Sequence, residues 1–189
     1  MALKILVPRM KTHVIQTYSA DRAHPICLHE NRLFRLMFNG EAHYLESLKC
    51  EHAVVIIPRF TNGDLLLVKL TRAPAIGLSW EFPRGGLEKG ESANQGATRE
   101  LCEDTGYQVA QKQVRHLGRI APDTATINSV LDVVLVDMPD DAAQAASDTH
   151  EKASTLRVPE HEFRHHVVCG DIVDGLTIGA YGLLLLHRA

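Results

Sequence analysis

The chain has 189 residues, with 20 Lys and Arg set against 23 Asp and Glu, for a net charge of −3. That length suits one domain with room for a sizeable core, and the charge argues against a broadly basic surface for gripping nucleic acid. Four cysteines, Cys27, Cys50, Cys102 and Cys169, form no CxxC pair and no regular framework, so they read as reduced thiols in packing positions.

In chain order, the opening MALKILVPRMK has too short an apolar run and no cleavage site for a signal peptide. The Leu183–Leu186 run is far short of a membrane span, so the expected address is the cytoplasm, away from any membrane. Residues 1–48 read as a less regular extension with strand-like patches, and residues 49–189 as the main domain. Ala53–Pro58 and Leu65–Leu70 are apolar runs joined through Asn62-Gly63-Asp64, a hairpin signal. A loop from Thr71 to Leu78 leads into a short strand, Ser79–Phe82, and then a tight turn at Pro83-Arg84-Gly85-Gly86. Ser92 and Gln95 form a capping box that starts a helix, and Gly106 suits the left-handed residue that ends it. Strands are expected at Arg115–Ile120, Val130–Val136 and Thr155–Val158, with a polar, mobile loop over Pro139–Lys152. Helices are expected at Glu160–Val168 and Thr177–His187, the second strongly apolar and docked on the sheet. The pattern is an α/β sandwich. Eleven histidines, including His165 and His166, show no metal spacing and read as surface or helix-face residues.

Ordinary helix design explains the end of the first helix badly. Glu100, Glu103 and Asp104 lie at i, i+3 and i+4, so their side chains crowd one side of the last turn. That turn carries the negative end of the helix dipole, where each carboxylate costs up to ~1 kcal/mol. Arg99 can pair with Glu103 but cannot neutralise all three. A divalent cation would supply the missing charge, and an all-carboxylate set with backbone carbonyls nearby suits Mg²⁺ or Mn²⁺. Small residues at Ala93, Gly96 and Ala97 would let the glycine-containing loop pack down on the helix. The plainer alternative is a solvated acidic helix end.

These residues resemble the Nudix box, G-x5-E-x7-R-E-U-x-E-E-x-G-U with U aliphatic. Gly85, Glu91, Arg99, Glu100, Glu103 and Gly106 match fixed positions and Leu101 fills the first U. At a typical usage of roughly 5–7% each, six such matches arise by chance on the order of 10⁻⁷ times per starting position. Asp104 stands where the family has its last glutamate, and Tyr107 replaces an aliphatic residue. The resemblance implies a Nudix fold, a mixed sheet between helices (α-β-α), and metal-dependent hydrolysis of a nucleoside diphosphate linked to another moiety. It implies Glu100, Glu103, Asp104 and the Arg84 carbonyl as ligands of Mg²⁺ or Mn²⁺, with Glu91 and Arg99 supporting them. It also implies a separate acid on the loop opposite the box; Glu151 is the choice, with Asp148 its rival.

Three features are similar to the ADP-ribose and ADP-sugar pyrophosphatase branch. Pro122 lies fifteen residues after Tyr107 (122 − 107). The stretch from Arg72 to Trp80-Glu81-Phe82-Pro83 is the second, with Arg72 and Glu81 as substrate-binding candidates. The N-terminal extension is the third, used for dimer formation within that branch. The duller readings are that Pro122 ends a strand and Arg72 is a solvated loop charge. The expected function is therefore cleavage of a nucleotide-sugar by a homodimer, giving AMP and a sugar phosphate. Phe82-Pro83-Arg84-Gly85-Gly86 also resembles dinucleoside-polyphosphate and RNA 5′-pyrophosphate hydrolases, though the charge argues against a nucleic-acid substrate. The Asp104 departure leaves open a non-catalytic Nudix-fold nucleotide-binding module.

Overall fold

Strand β4 (Ala53–Phe60) is the spine of the molecule, because its side chains are buried on both faces of the sheet. That double burial explains why AVVIIP reads as a continuous apolar run rather than an alternating one. The computed structural model describes residues 24–48, 52–73, 76–144 and 154–188. Within them the main sheet runs β10 (Ser154–Val158), β5 (Leu65–Thr71), β4, β9 (Leu131–Met138), β8 (Val114–Ile120). The central β4–β9 pair is parallel and the others are antiparallel, so the sheet is mixed.

Helix α1 (Ala93–Thr105) covers one face. Its Ala97 and Leu101 pack with Val54, Ile56, Leu66, Val134 and Val136. Helices α2 (Glu160–Cys169) and α3 (Gly175–Leu186) cover the other, where Phe163, Tyr181 and Leu184 meet Val55, Ile57, Leu65 and Leu67. Two cores on one sheet make the expected α-β-α sandwich.

The sheet carries a wedge at its centre. The hairpin at residues 61–64 joins β4 to β5, but their register pairs only Arg59 with Leu65. Beyond that point β5 pairs with β6 (Leu78–Glu81), while β4 pairs with β7 (Arg84–Gly86). The expected glycine turn is therefore a short strand. Side-chain-free Gly85 and Gly86 let it lie against β4 beneath α1.

Residues 26–47 also depart from expectation. They form an antiparallel sheet of β1 (Ile26–Glu30), β2 (Phe34–Phe38) and β3 (His43–Ser47), with a register shift between Cys27 and His29. The Leu45 peptide clasps the loop after β8, donating to the Thr126 carbonyl at 2.8 Å and accepting from the Asn128 N–H at 2.9 Å. Pro122, exposed just past β8, opens that loop. Cys27 and Cys169 are exposed rather than packed, because β1 turns most of its side chains to solvent and Cys169 ends α2; Cys102 is partly buried. Cys50 lies outside the described residues. Among those residues, no helix is long and apolar enough to cross a membrane.

Candidate active site

The capping box at the start of α1 is complete. The Gln95 N–H donates to Ser92 Oγ at 3.3 Å, and the Ser92 N–H donates to Gln95 Oε1 at 2.9 Å. At the other end Gly106 is left-handed, φ 79°, and its N–H donates to the Cys102 carbonyl. These two stops place Glu100, Glu103 and Asp104 in the last turns, over β7.

Register decides what β7 presents to them. The Ile56 N–H donates to the Pro83 carbonyl at 2.9 Å, and the Leu87 N–H to the His52 carbonyl at 2.9 Å. Antiparallel bonding alternates, so Arg84 and Gly86 turn their N–H and C=O groups away from β4. There the Gly86 carbonyl accepts from Arg99 at 2.8 Å, and the Arg84 N–H is directed toward the Asp104 carboxylate. The Arg84 carbonyl lies on the same outer edge. Side chains alternate too: Gly85 points at α1. A Cβ there would come within 2.0 Å of the Glu100 carboxyl carbon. The first glycine of the box is thus the space that the Glu100 carboxylate fills. Near the start of the helix Gly96 makes room in the same way, since a Cβ there would strike Leu87 at 2.2 Å.

Arg99 is the organising cation. Its guanidinium donates to Glu91 at 2.8 and 3.0 Å, to Glu100 at 2.8 Å and to Glu103 at 3.3 Å. The Glu91 bonds, then those to Glu100, hold the Arg99 pKa far above its ordinary value, and Arg99 keeps Glu91 below its own. One guanidinium serves three carboxylates and Asp104 adds a fourth negative charge beside them, so the shortfall appears at the two most enclosed. Burial pushes Glu100 up despite Arg99. Asp104 is pushed up to about 6, chiefly by burial and then by Glu100, with the Arg84 N–H and the more distant Arg72 opposing.

Among the described residues, no three acidic, histidine or cysteine side chains already stand at metal-binding range. Arg99 draws Glu100 and Glu103 one way, and the Arg84 peptide draws Asp104 another. The donor set nevertheless fits a hard divalent cation: carboxylate oxygens, an outward-facing carbonyl and a surplus of negative charge.

A pH dependence follows for the metal-free protein. Between pH about 4 and 6 folded Asp104 holds a proton that the unfolded chain has released, so stability falls as pH rises through that window. Asp104→Asn, neutral throughout, is therefore expected to melt about 3–5 °C higher than the parent in EDTA at pH 7.5, and level with it at pH 4. Equal melting temperatures at both pH values would contradict the buried, uncompensated charge.

The two expected substrate contacts, Arg72 and Glu81, pair with each other. Glu81 is 1% exposed and lies between two arginines, 2.5 Å from Arg72 Nη2 and 2.7 Å from Arg84 Nη2. Enclosed in this way, its carboxylate is shared between the two arginines. Arg72, about one-third exposed, is held chiefly by Glu81, with the charges of Asp174 and Asp104 adding to its raised pKa. Sequence reasoning missed Asp174, which meets Arg84 at 2.9 and 3.0 Å from ninety residues away. Its only local signal is an Asp three residues before Thr177, a helix cap. Glu151 and Asp148 lie outside the described residues. A cavity of about 940 Å³ opens between the three-stranded sheet and the box loop, walled by Arg35, Glu46, His52, Lys89 and Glu91.

This fold and this box together define a Nudix protein, and a model of the NUDIX domain family matches residues 51–169; the chain belongs to that family. Among curated relatives, the ADP-ribose pyrophosphatase of Bacillus subtilis (strain 168) is 41% identical over 69 residues, 36% of this chain and 37% of the relative. Putative nudix hydrolase 2 of Caenorhabditis elegans is 32% identical over 127 residues, covering 63% of this chain and 56% of the relative. An RNA pyrophosphohydrolase of Cronobacter sakazakii is 54% identical over 39 residues, 21% of each. The matched segments thus span between 21% and 56% of these relatives' lengths. A crystal structure of ADP compounds hydrolase matches 89% of this chain and 95% of its own at a TM-score of 0.65. At 19% identity that likeness is one of fold.

Proposed function

We propose that the protein is a divalent-metal-dependent pyrophosphohydrolase that cleaves ADP-ribose or a related ADP-sugar to AMP and a sugar phosphate. The observation that carries this is the Glu100 carboxylate seated on Gly85, with Glu103 and Asp104 on the same helix end and the Arg84 carbonyl on the strand edge facing them. Glu100, Glu103, Asp104 and the Arg84 carbonyl would hold Mg²⁺ or Mn²⁺. When bound, the cation supplies neutralisation of pyrophosphate charge and a bound water of lowered pKa.

The chain's own groups set the rest of the geometry. Arg99 fixes the orientation of Glu91 and Glu100. Arg72, steadied by buried Glu81, offers its exposed side to a pyrophosphate. Glu151 is the loop acid in this proposal. The cavity beside Glu91 has the volume of a nucleotide site, and Arg35 and Lys89 bring cations to its wall. Residues 1–48 would join two copies in a homodimer.

The ADP-sugar branch is supported by Arg72, by Pro122 and its loop beneath the N-terminal sheet, and by the Bacillus relative's name. A second reading, hydrolysis of RNA 5′-pyrophosphate or dinucleoside polyphosphates, is favoured by the short, high-identity match to an RNA pyrophosphohydrolase. A substrate panel separates them. With Mg²⁺ or Mn²⁺, kcat/KM for ADP-ribose is expected to exceed that for diadenosine polyphosphates and 5′-triphosphorylated RNA by about tenfold or more. The reverse order would transfer the protein to the second reading.

A further inference from the structure

Arg84 brings a cation to the foot of an anionic cluster, where it would compete with a metal ion. It does not point there. Strand alternation turns its side chain away from Glu100 toward the face of the sheet covered by α3, and two carboxylates claim it. Glu81 takes Nη2 at 2.7 Å, and Asp174 takes Nη1 at 2.9 and 3.0 Å. Glu81 is already shared with Arg72 at 2.8 and 2.5 Å, so Asp174 supplies the second full negative charge that balances the pair of arginines.

Asp174 is itself held on all sides. As N-cap of α3 it accepts from the Thr177 N–H at 2.8 Å and from Thr177 Oγ1 at 2.8 Å. Thr177 Oγ1 in turn accepts from the Phe82 N–H at 3.0 Å, two residues before Arg84. The start of α3 is thereby tied to the chain segment entering β7.

We propose that Asp174 is a positioning residue for the cation site. It sequesters the Arg84 guanidinium on the α3 side of β7, so that Arg84 presents only its peptide to the carboxylates. The inference rests on the reading of those carboxylates as a cation site, and the test keeps the two separable. Asp174→Asn retains the cap, since Asn is as good an N-cap as Asp, and Asp174→Ser gives a second neutral variant. Either removes one negative charge and leaves Arg84 free to turn toward Asp104. Both effects oppose a cation.

The measurement is Mn²⁺ affinity of the full-length protein, read by electron paramagnetic resonance of the free ion, with thermal melts alongside. Wild type is expected to bind Mn²⁺ and Glu100→Gln to lose it. Asp174→Asn is expected to bind about five- to tenfold more weakly, and Arg84→Met/Asp174→Asn to recover to within about twofold of wild type. A residue that merely capped α3 would lower the melting temperature and leave Mn²⁺ affinity alone. Wild-type affinity in both neutral variants overturns the inference, as does a double variant no better than Asp174→Asn. Binding untouched by Glu100→Gln overturns the cation-site reading, and this inference with it.

Discussion

Replacing Glu100 by glutamine is expected to lower kcat/KM for the proposed substrate, ADP-ribose, about a thousandfold, the equivalent of about 4 kcal/mol of transition-state stabilisation, while the protein melts near its parent temperature. Glutamine fills the same space above Gly85, and its amide oxygen still accepts from Arg99. What it removes is the charge. In the metal-free fold that charge is poorly accommodated, because burial pushes the Glu100 pKa up even with Arg99 bonded at 2.8 Å. Its loss therefore costs the fold little, whereas a bound cation loses a formal counter-charge in a half-buried site. Initial rates at saturating Mg²⁺, paired with melting curves in EDTA, check both halves. Turnover like the wild type's would remove Glu100 from the chemistry and strengthen the non-catalytic reading.

The helix that carries this residue is fully legible in the sequence, because its limits are set by neighbours along the chain. Ser92 with Gln95 starts it and Gly106 stops it, and the spacing of Glu100, Glu103 and Asp104 follows from 3.6 residues per turn. Strand β7 is not legible. Pro-Arg-Gly-Gly has turn composition, and only β4 pairing makes it extended; local propensity gives way to a tertiary partner thirty residues upstream. The strand-edge carbonyl of Arg84 and the seat for Glu100 at Gly85 follow from that register. Asp174 illustrates a longer reach: its sequence neighbourhood announces a cap, while its meeting with Arg84 depends on how α3 docks. The surroundings of Glu81 are hidden for a related reason. Its place next to Trp80 and Phe82 suggests a substrate-facing motif, but Ser79 and Glu81 are both buried on strand β6, and Glu81 is enclosed with two arginines. The three-stranded sheet at residues 26–47 is hidden because its side chains are mostly exposed or half-exposed, which blurs the alternation of apolar and polar residues that betrays a strand.

Gly85→Ala tests the seat itself, with an expected fall in kcat/KM of about a hundredfold or more and little change in melting temperature. The backbone does not forbid alanine: Gly85 is an ordinary strand residue opposite Val54, with no positive φ to lose. The obstacle is the methyl group, which would come within 2.0 Å of the Glu100 carboxyl carbon and 2.1 Å of both its oxygens. Those atoms end a flexible side chain, so the fold escapes the clash by swinging the carboxylate aside. A displacement on the order of 1 Å is enough to cost about a hundredfold when the group must hold a reacting assembly in line. A second variant identifies the cause. Glu100→Asp withdraws the carboxylate by one methylene and makes room for the methyl, so Gly85→Ala/Glu100→Asp should be impaired no more than Glu100→Asp alone. Additive losses would mean that Gly85 matters for some other reason, such as close approach of the substrate to the bare strand. Full activity in Gly85→Ala would mean that the working position of Glu100 is not against Gly85, and the reading of box and strand as one site would have to be redrawn.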